Sequence, residues 1–445
     1  VDAPFTVTEP NAAGIVAAIE LAVAKGRLLP GDAVPSVRAL ASAIHLSPAT
    51  VAAAYKTLRN RGVLTSSAGS RTRVSPRPPL TGRSLTPLPA GVRDVASGNP
   101  DPAFLPSLPE VAARLHRRHY LYTDATVLPE LLEMAVHELH PVPVSRGQIC
   151  LAGGAMDGLE RVLSAYLKPG DQVAVEDPGY TGVLDLLRAM GFVPVGVPID
   201  DAGMLPDALA ETLVRPIAAC IITPRAQNPM GSAIDAARGA ELAEVLAAHP
   251  DLLVVEDDHA SGAADAPYVS VLGERPRWAL IRSMSKSLGP DLRIAMIGAD
   301  PTTASRVEGR QQVGTGWVSH LIQELTVQLW REKSTADRLR AAQRAYSQRR
   351  ETFLAALAAR GVPARGRSGL NVYVPVPEEV PVVRQLFDRG WAVQAGEPYR
   401  LASRPFIRVT TAALDPSDGA ELADHVAAVL NATAAPVRAR ATRAG

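Results

Sequence analysis

The chain has 445 residues, 47% of them hydrophobic and 20% charged, a formal net charge of +1 and two cysteines. That length leaves room for two or three domains, while no run of about 18 apolar residues marks a membrane span, and the distant pair Cys150 and Cys220 makes no disulfide framework. The near-neutral total hides an asymmetry: residues 1–80 carry nine Lys and Arg against four acids, a net of +5, so a small polyanion-binding part is expected ahead of a larger acidic one.

The opening VDAPFTVTEP lacks a basic segment followed by an apolar core, so no secretory signal is read and a cytoplasmic location is expected. Residues 11–64 read as three helices. In AGIVAAIELAVAKG, Ile15, Ile19 and Val23 recur at spacings of four and Gly26 ends the run. Ser36 is a good N-cap for a second helix with the stripe Val37, Leu40, Ala41 and Ile44. After the tight HLS turn, Ser47 caps a third helix with Pro48 in first position, where a missing N–H does no harm. Val51, Tyr55 and Leu58 face inward, and Gly62 ends this helix. LTSSAGSRTRV reads as a hairpin with Gly69 at its tip.

Two helices joined by a tight turn and followed by a basic hairpin form a winged helix-turn-helix candidate. The N–H groups and hydroxyls at Ser47–Thr50 can meet phosphates and base edges, Ser36 and Arg38 can hold the DNA backbone, and Arg71 and Arg73 can reach a groove. A helical protein-interaction module with a solvated basic face fits the same pattern.

The winged helix is assigned to residues 1–75 and a proline-rich, semi-rigid linker to 76–92. From about 147, seven apolar runs alternate with helical patterns: ICLA, QVAVE, VPVGV, AACIIT, LLVVE, ALIRS and IAMIG. They predict an α/β large domain over 93–334, with a mostly parallel seven-stranded sheet covered on both faces and ligands at the carboxyl ends of its strands. A long polar helix, the runs LNVYVPV and FIRVTTAAL and a closing helix predict a smaller α+β lobe over 335–445.

The strand ends carry the chemistry. Lys286 follows ALIRS among Ser283, Ser285 and Gly289, with Arg293 seven positions on; a lysine so placed can form a Schiff base with an aldehyde cofactor while the hydroxyls and Arg293 hold a phosphate. Asp257, ending LLVVED, can pair with a pyridinium nitrogen. Asn228 and His259 can reach a phenolic oxygen, and the N–H groups of Ala155 and Met156 after the Gly-Gly turn can receive a phosphate. Tyr180 can stack on a flat ring. Singly, each has an ordinary alternative: Lys286 a surface lysine, Asp257 a helix cap, Tyr180 a core aromatic, His259 a satisfied buried histidine. Together, at successive strand ends, they point to one site.

The array GGAMDGL, DPGY, TPRAQNPMG, VVEDDH, SMSKSLGPDLR and FIRV resembles the fold-type-I aminotransferases that use pyridoxal 5′-phosphate. The front of the chain is similar to the GntR winged helix, and the two in this order resemble the MocR subfamily of GntR-type transcription regulators. The resemblance implies that Lys286 is the Schiff-base lysine, Asp257 the partner of the ring nitrogen, and Asn228 and His259 the holders of the O3′ oxygen. It gives the phosphate to Ala155, Met156, Ser283, Ser285 and Arg293, the ring to Tyr180, and an effector carboxylate to Arg408. Tyr122 would reach the phosphate of a partner subunit in a homodimer. Ser36, Arg38, Ser47, Thr50, Tyr55, Lys56 and Arg71 match DNA-contacting positions.

Three departures stand out. His259 replaces a common tyrosine, and its protonation is expected to make the cofactor pH-sensitive. The usual glycine after Tyr122 is missing, and Gly182 replaces an arginine that some members use for a second carboxylate. The expectation is a regulator that binds operator DNA and senses pyridoxal phosphate or its adduct with an amino compound, without a metal. The alternatives are an aminotransferase with an accessory module, and an interaction module on a cofactor-free scaffold.

Overall fold

The computed structural model describes residues 5–7, 9–60, 63–65, 71–75, 87–115 and 119–434. Gly62, Gly69 and most of the proline-rich stretch lie outside these residues. By contact the chain forms two compact units: Val1–Thr86 with Leu167–Val173 and Thr181–Pro194, and Pro87–Tyr166 with Ala174–Tyr180 and Val195–Gly445.

In the first unit, helices Ala12–Ala24, Val37–Ala43 and Pro48–Asn60 enclose a core of Ile15, Ile19, Leu40, Val51 and Leu58. Each such side chain contributes about 1.5–3 kcal/mol by leaving water. Lys25 caps the first helix and Gly26, at φ 67°, turns the chain away. Ser36 Oγ accepts the Ala39 N–H at 3.2 Å, and Ser47 Oγ accepts the Thr50 N–H at 3.1 Å; each cap stabilises its helix by about 1 kcal/mol. Strands Leu64–Thr65 and Arg73–Val74 pair antiparallel, Leu64 opposite Val74, and form the hairpin.

A sheet runs in the order Ile149–Ala152, Ala295–Ala299, Trp278–Ser283, Leu253–Asp258, Ile217–Ile222, Gln172–Asp177, Val193–Asp200, Gly203–Met204, all of it in the second unit except the first two residues of Gln172–Asp177 and of Val193–Asp200. Seven strands are the predicted runs. The eighth, Gly203–Met204, pairs with Ile199 and Asp200 and is too short to show a period. Trp278–Ser283 and Ile217–Ile222 flank Leu253–Asp258 in parallel. Ala295–Ala299 runs antiparallel between Trp278–Ser283 and Ile149–Ala152. Its first residue therefore lies opposite both Ser283 and Ala152, which brings Arg293 back to the edge where its neighbours end.

The smaller lobe carries the helix Lys333–Ala358, the strands Asn371–Pro375, Phe406–Thr410 and Gln394–Ala395, and the helix Pro416–Ala434. Phe353, Val372, Ile407 and Leu422 lie in its core. Arg93–Asp94 pairs parallel with Trp391–Ala392, and Val95 joins the same core. Residues 93–95 thus pack with the small lobe, a pairing too short to read from pattern. Cys150 and Cys220 are free and buried. Among the described residues no helix is long and apolar enough to cross a membrane, and no group of three His, Cys, Asp or Glu is placed to hold a metal ion.

Candidate functional site

Successive strand residues face opposite sides of a sheet, so the doublet Asp257–Asp258 is divided. Asp258 lies in register with Arg282 and pairs with it at 2.7 Å and with Arg225 at 2.9 Å. Burial would raise its pKa, but the two guanidiniums outweigh burial and hold it below the ordinary carboxylate range. Asp257 has no such partner. Its Oδ1 is buried without a hydrogen bond, and burial, with Asp258 and Glu176 adding repulsion, pushes its pKa up to about 7. An unpaired buried oxygen costs about 1–3 kcal/mol, which a cationic N–H donor removes.

Lys286 sits in the loop after Trp278–Ser283. Its Nζ donates to the Gly98 carbonyl at 2.5 Å. Burial first, and the charge of Arg408 second, lower its pKa to about 8. At neutral pH about a tenth of it is therefore the free amine that attacks a carbonyl.

His259 Nε2 faces the Ala226 carbonyl at 3.1 Å. A carbonyl only accepts, so the ring's N–H is on Nε2 and Nδ1 is an acceptor. Burial and the charge of Lys286 lower its pKa to about 4. This corrects the expected pH sensitivity: the ring stays neutral across the physiological range, and toward a phenolic oxygen Nδ1 offers a lone pair, not a proton.

Gly154, at φ 109°, precedes the helix Ala155–Ser164, and no side chain caps that start. A Cβ on Gly154 would fall 2.4 Å from Arg293 Nη2, so the turn leaves just enough room for the guanidinium. Arg293, itself at φ 44°, donates to the Gly153 carbonyl at 3.0 Å. Ser283 Oγ and Ser285 Oγ lie 3.2 Å apart at this edge. The Gly153 N–H is taken by Asp157 at 2.7 Å, while Ala155 and Met156 open the helix toward an anion. An unpartnered acid, an amine of lowered pKa and an anion cradle together fit a flat phosphorylated aldehyde whose ring nitrogen takes a proton.

Arg408, on strand Phe406–Thr410, is buried. Its Nη1 donates to Asn228 Oδ1 at 3.0 Å and to Tyr399 Oη at 2.6 Å, and its Nη2 to the Ala96 carbonyl. Asn228 thus presents its oxygen to Arg408, and its amide nitrogen is the group left to donate to a ring oxygen. Tyr180 is 41% exposed. Tyr122 is 93% exposed, with its ring edge-on to Trp317 at 5.7 Å.

Sequence reasoning missed Ala96, Gly98 and Tyr399. The first two act through backbone carbonyls, which every residue has, and Tyr399 ends a three-residue 3-10 turn, Glu397–Tyr399, too short to show a period. Arg225 was visible only as a polar residue near Asn228; its partner across the sheet was not.

On the first unit, Ser36, Arg38, Ser47, Lys56 and Arg71 are exposed and Thr50 is half-buried. Arg73 is exposed and donates to the Gly31 carbonyl at 2.8 Å. Tyr55 is a correction. It is 1% exposed and its hydroxyl donates to the Pro35 carbonyl at 2.7 Å. Burial pushes its pKa up, and it serves the core, not a DNA contact.

Residues 84–426 match the family described as aminotransferase class I and II, and residues 11–74 match the bacterial regulatory proteins of the gntR family. The chain is 37% identical over 413 residues, 91% of its length and 95% of the relative's, to the vitamin B6 salvage pathway transcriptional repressor PtsJ of Salmonella typhimurium. It is 31% identical over 254 residues, 53% of each chain, to the HTH-type pyridoxine biosynthesis transcriptional regulator PdxR of Corynebacterium glutamicum. Among solved structures, α-aminoadipate aminotransferase LysN of Thermus thermophilus is similar with a TM-score of 0.69 and 24% identity, over 77% of this chain and 93% of that one. This last likeness concerns the fold.

Proposed function

The chain belongs to the aminotransferase class I and II family and carries a GntR-type winged helix ahead of it, the arrangement of MocR regulators; from that premise we propose that it is a transcription regulator whose body binds pyridoxal 5′-phosphate and senses it or its adduct with an amino compound. The observation that carries this reading is the partly buried Lys286, its amine held on the Gly98 carbonyl and its pKa lowered, together with the buried Asp257 and its unpartnered oxygen, in one chain with a winged helix.

Pyridoxal phosphate supplies an aldehyde that bonds to a lysine amine and a ring that draws electrons when its nitrogen is protonated. Lys286 provides the amine. Asp257 keeps the proton on the ring nitrogen, and that cation in turn settles the orphaned carboxylate. Asn228 and His259 face O3′. Ala155, Met156, Ser283, Ser285 and Arg293 hold the phosphate, and Tyr180 covers the ring. Arg408 grips an effector carboxylate. With glycine at 182, no second arginine is available there, so a monocarboxylate or an amine suits the pocket.

Ser36, Arg38, Ser47, Thr50, Lys56 and Arg71 form the DNA-reading face. A homodimer, in which Tyr122 reaches the second copy's phosphate, sets the spacing of two such faces, and DNA half-sites answer to that spacing. The effector shifts DNA affinity by no more than its differential affinity for the two states. The relatives named for vitamin B6 salvage and pyridoxine biosynthesis support vitamin B6 supply as the regulated process, acting in the cytoplasm.

The test is selection of bound DNA from a random pool by the full chain, with and without pyridoxal phosphate, alongside turnover of amino acids with a keto-acid acceptor. A selected two-half-site sequence whose affinity changes with the cofactor supports the regulator. Fast multiple turnover without sequence-specific binding establishes the other reading, an aminotransferase with an accessory module, which the lysine, acid and arginine of the same pocket also suit.

A further inference from the structure

We propose that Asp177 is a positioning residue for the effector-carboxylate end of the pocket: it holds the turn that seats Tyr399 against Arg408. The proposal deepens the sensing function above and rests on it.

Asp177 ends the strand Gln172–Asp177 at the carboxyl edge of the sheet and is buried. Its Oδ1 accepts the Leu401 N–H at 3.0 Å and the Ser403 hydroxyl at 2.9 Å; its Oδ2 accepts the N–H groups of Ala402 at 2.7 Å and Ser403 at 3.0 Å. One carboxylate thus gathers four donors of a single turn, each bond strengthened by its charge. Two residues on, the Gly179 N–H donates to the Tyr399 carbonyl at 2.9 Å. The neighbouring strand makes room for this arrangement: a Cβ on Gly196 would lie 2.9 Å from Asp177 Cβ and 3.2 Å from its Oδ2.

The small lobe grips the same turn from its other side. Glu379 accepts the Glu397 N–H at 2.7 Å, Arg400 Nε at 2.9 Å and the Phe406 N–H at 3.2 Å. In the same segment Tyr399 accepts the Arg408 bond on its hydroxyl at 2.6 Å. One carboxylate therefore fixes the turn beside Tyr399 and, through the Tyr399 hydroxyl, the orientation of the arginine. Arg408 has a buried Nε without a hydrogen bond, so its aim depends on the groups that hold its Nη atoms.

The experiment compares two probes on the full chain: N-(5′-phosphopyridoxyl)-L-leucine, which carries a carboxylate, and pyridoxamine 5′-phosphate, which does not. Wild type is expected to prefer the first by about tenfold or more, the weight of one charge-assisted contact. In Asp177→Asn the preference falls to about twofold while pyridoxamine phosphate affinity stays within about twofold. Gly196→Ala, which displaces Asp177 without altering it, moves the same way. Tyr399→Phe reproduces the loss, and adding it to Asp177→Asn costs nothing more, because both act through one contact. Melting curves establish that each variant is folded. An unchanged preference in folded Asp177→Asn, an equal loss for both probes, or additive losses in the double variant overturns the proposal. Wild type that binds both probes without preference overturns it as well, together with the role of Arg408. Wild type that binds neither overturns the sensing function itself.

Discussion

The DNA-reading face and the pocket solve opposite problems. On the proposed face, Ser36, Arg38, Ser47, Lys56 and Arg71 are exposed and offer charge or hydroxyl to the solvent. In the pocket, Asp257, His259, Lys286 and Arg408 are held where burial is the largest influence on every pKa. Exposed contacts add and fade with salt. Buried ones are coupled, so removing one resets the others.

The variant that separates the two regions most sharply is Lys286→Ala. It is expected to abolish the visible absorbance of lysine-bound pyridoxal phosphate while leaving cofactor-free DNA binding within about twofold of wild type, since without the cofactor Lys286 shares no partner with the winged helix. Retained absorbance refutes the assignment. Next in size are the two adjacent acids. Asp257→Asn is expected to weaken cofactor binding by about 2–5 kcal/mol, read by titration, because it removes one partner of a buried charge pair. Asp258→Asn instead breaks the pairs with Arg225 and Arg282 and is expected to cost about 3–5 kcal/mol of fold stability, read by denaturant unfolding. Equal effects of both on folding would erase the division that the strand pleat makes.

A pH series sharpens the same contrast. Asp257, Glu176 and Glu256 each have a folded pKa raised to about 7, burial being the first cause. The folded chain then binds more protons than the unfolded one between their ordinary values and about 7. Their stabilising effect is full below the ordinary range and is lost as pH rises through 7. The cofactor-free melting temperature is expected to fall over that window, and to fall less in Asp257→Asn. Cofactor capture by Lys286 should rise with pH and level off above about 8; a rise of tenfold per unit continuing to pH 10 would mean the amine is not buried.

The smallest effects belong to the face. Lys56→Ala and Arg71→Ala should each weaken binding to all DNA sequences alike and lower the salt slope by about 1. Tyr55→Phe should leave that slope unchanged and cost about 1 kcal/mol of stability, through the lost bond to Pro35.

The fold was legible because its signals are local. Ser36 and Ser47 cap helices wherever they stand, and seven β-branched runs declare strands without reference to one another. The pocket was legible only where a side chain lies near the carboxyl end of a strand or just past it, as Asp257 and Lys286 do. Its remaining parts come from pairings between distant residues. Gly98 meets Lys286 through a carbonyl, Asp177 meets Ser403 across 226 positions, and Tyr55 carries both a core role and a family pattern that points outward. Periodicity reports which face a residue takes, not what waits there.

The most direct measurement is borohydride reduction of the pyridoxal phosphate–loaded full chain followed by peptide mapping. The chain has five lysines, Lys25, Lys56, Lys168, Lys286 and Lys333, so the adduct can be assigned without ambiguity. A stoichiometric phosphopyridoxyl group on Lys286, with DNA affinity that differs between loaded and cofactor-free protein, is the predicted result. An adduct spread over the surface lysines, or none at all, would contradict it.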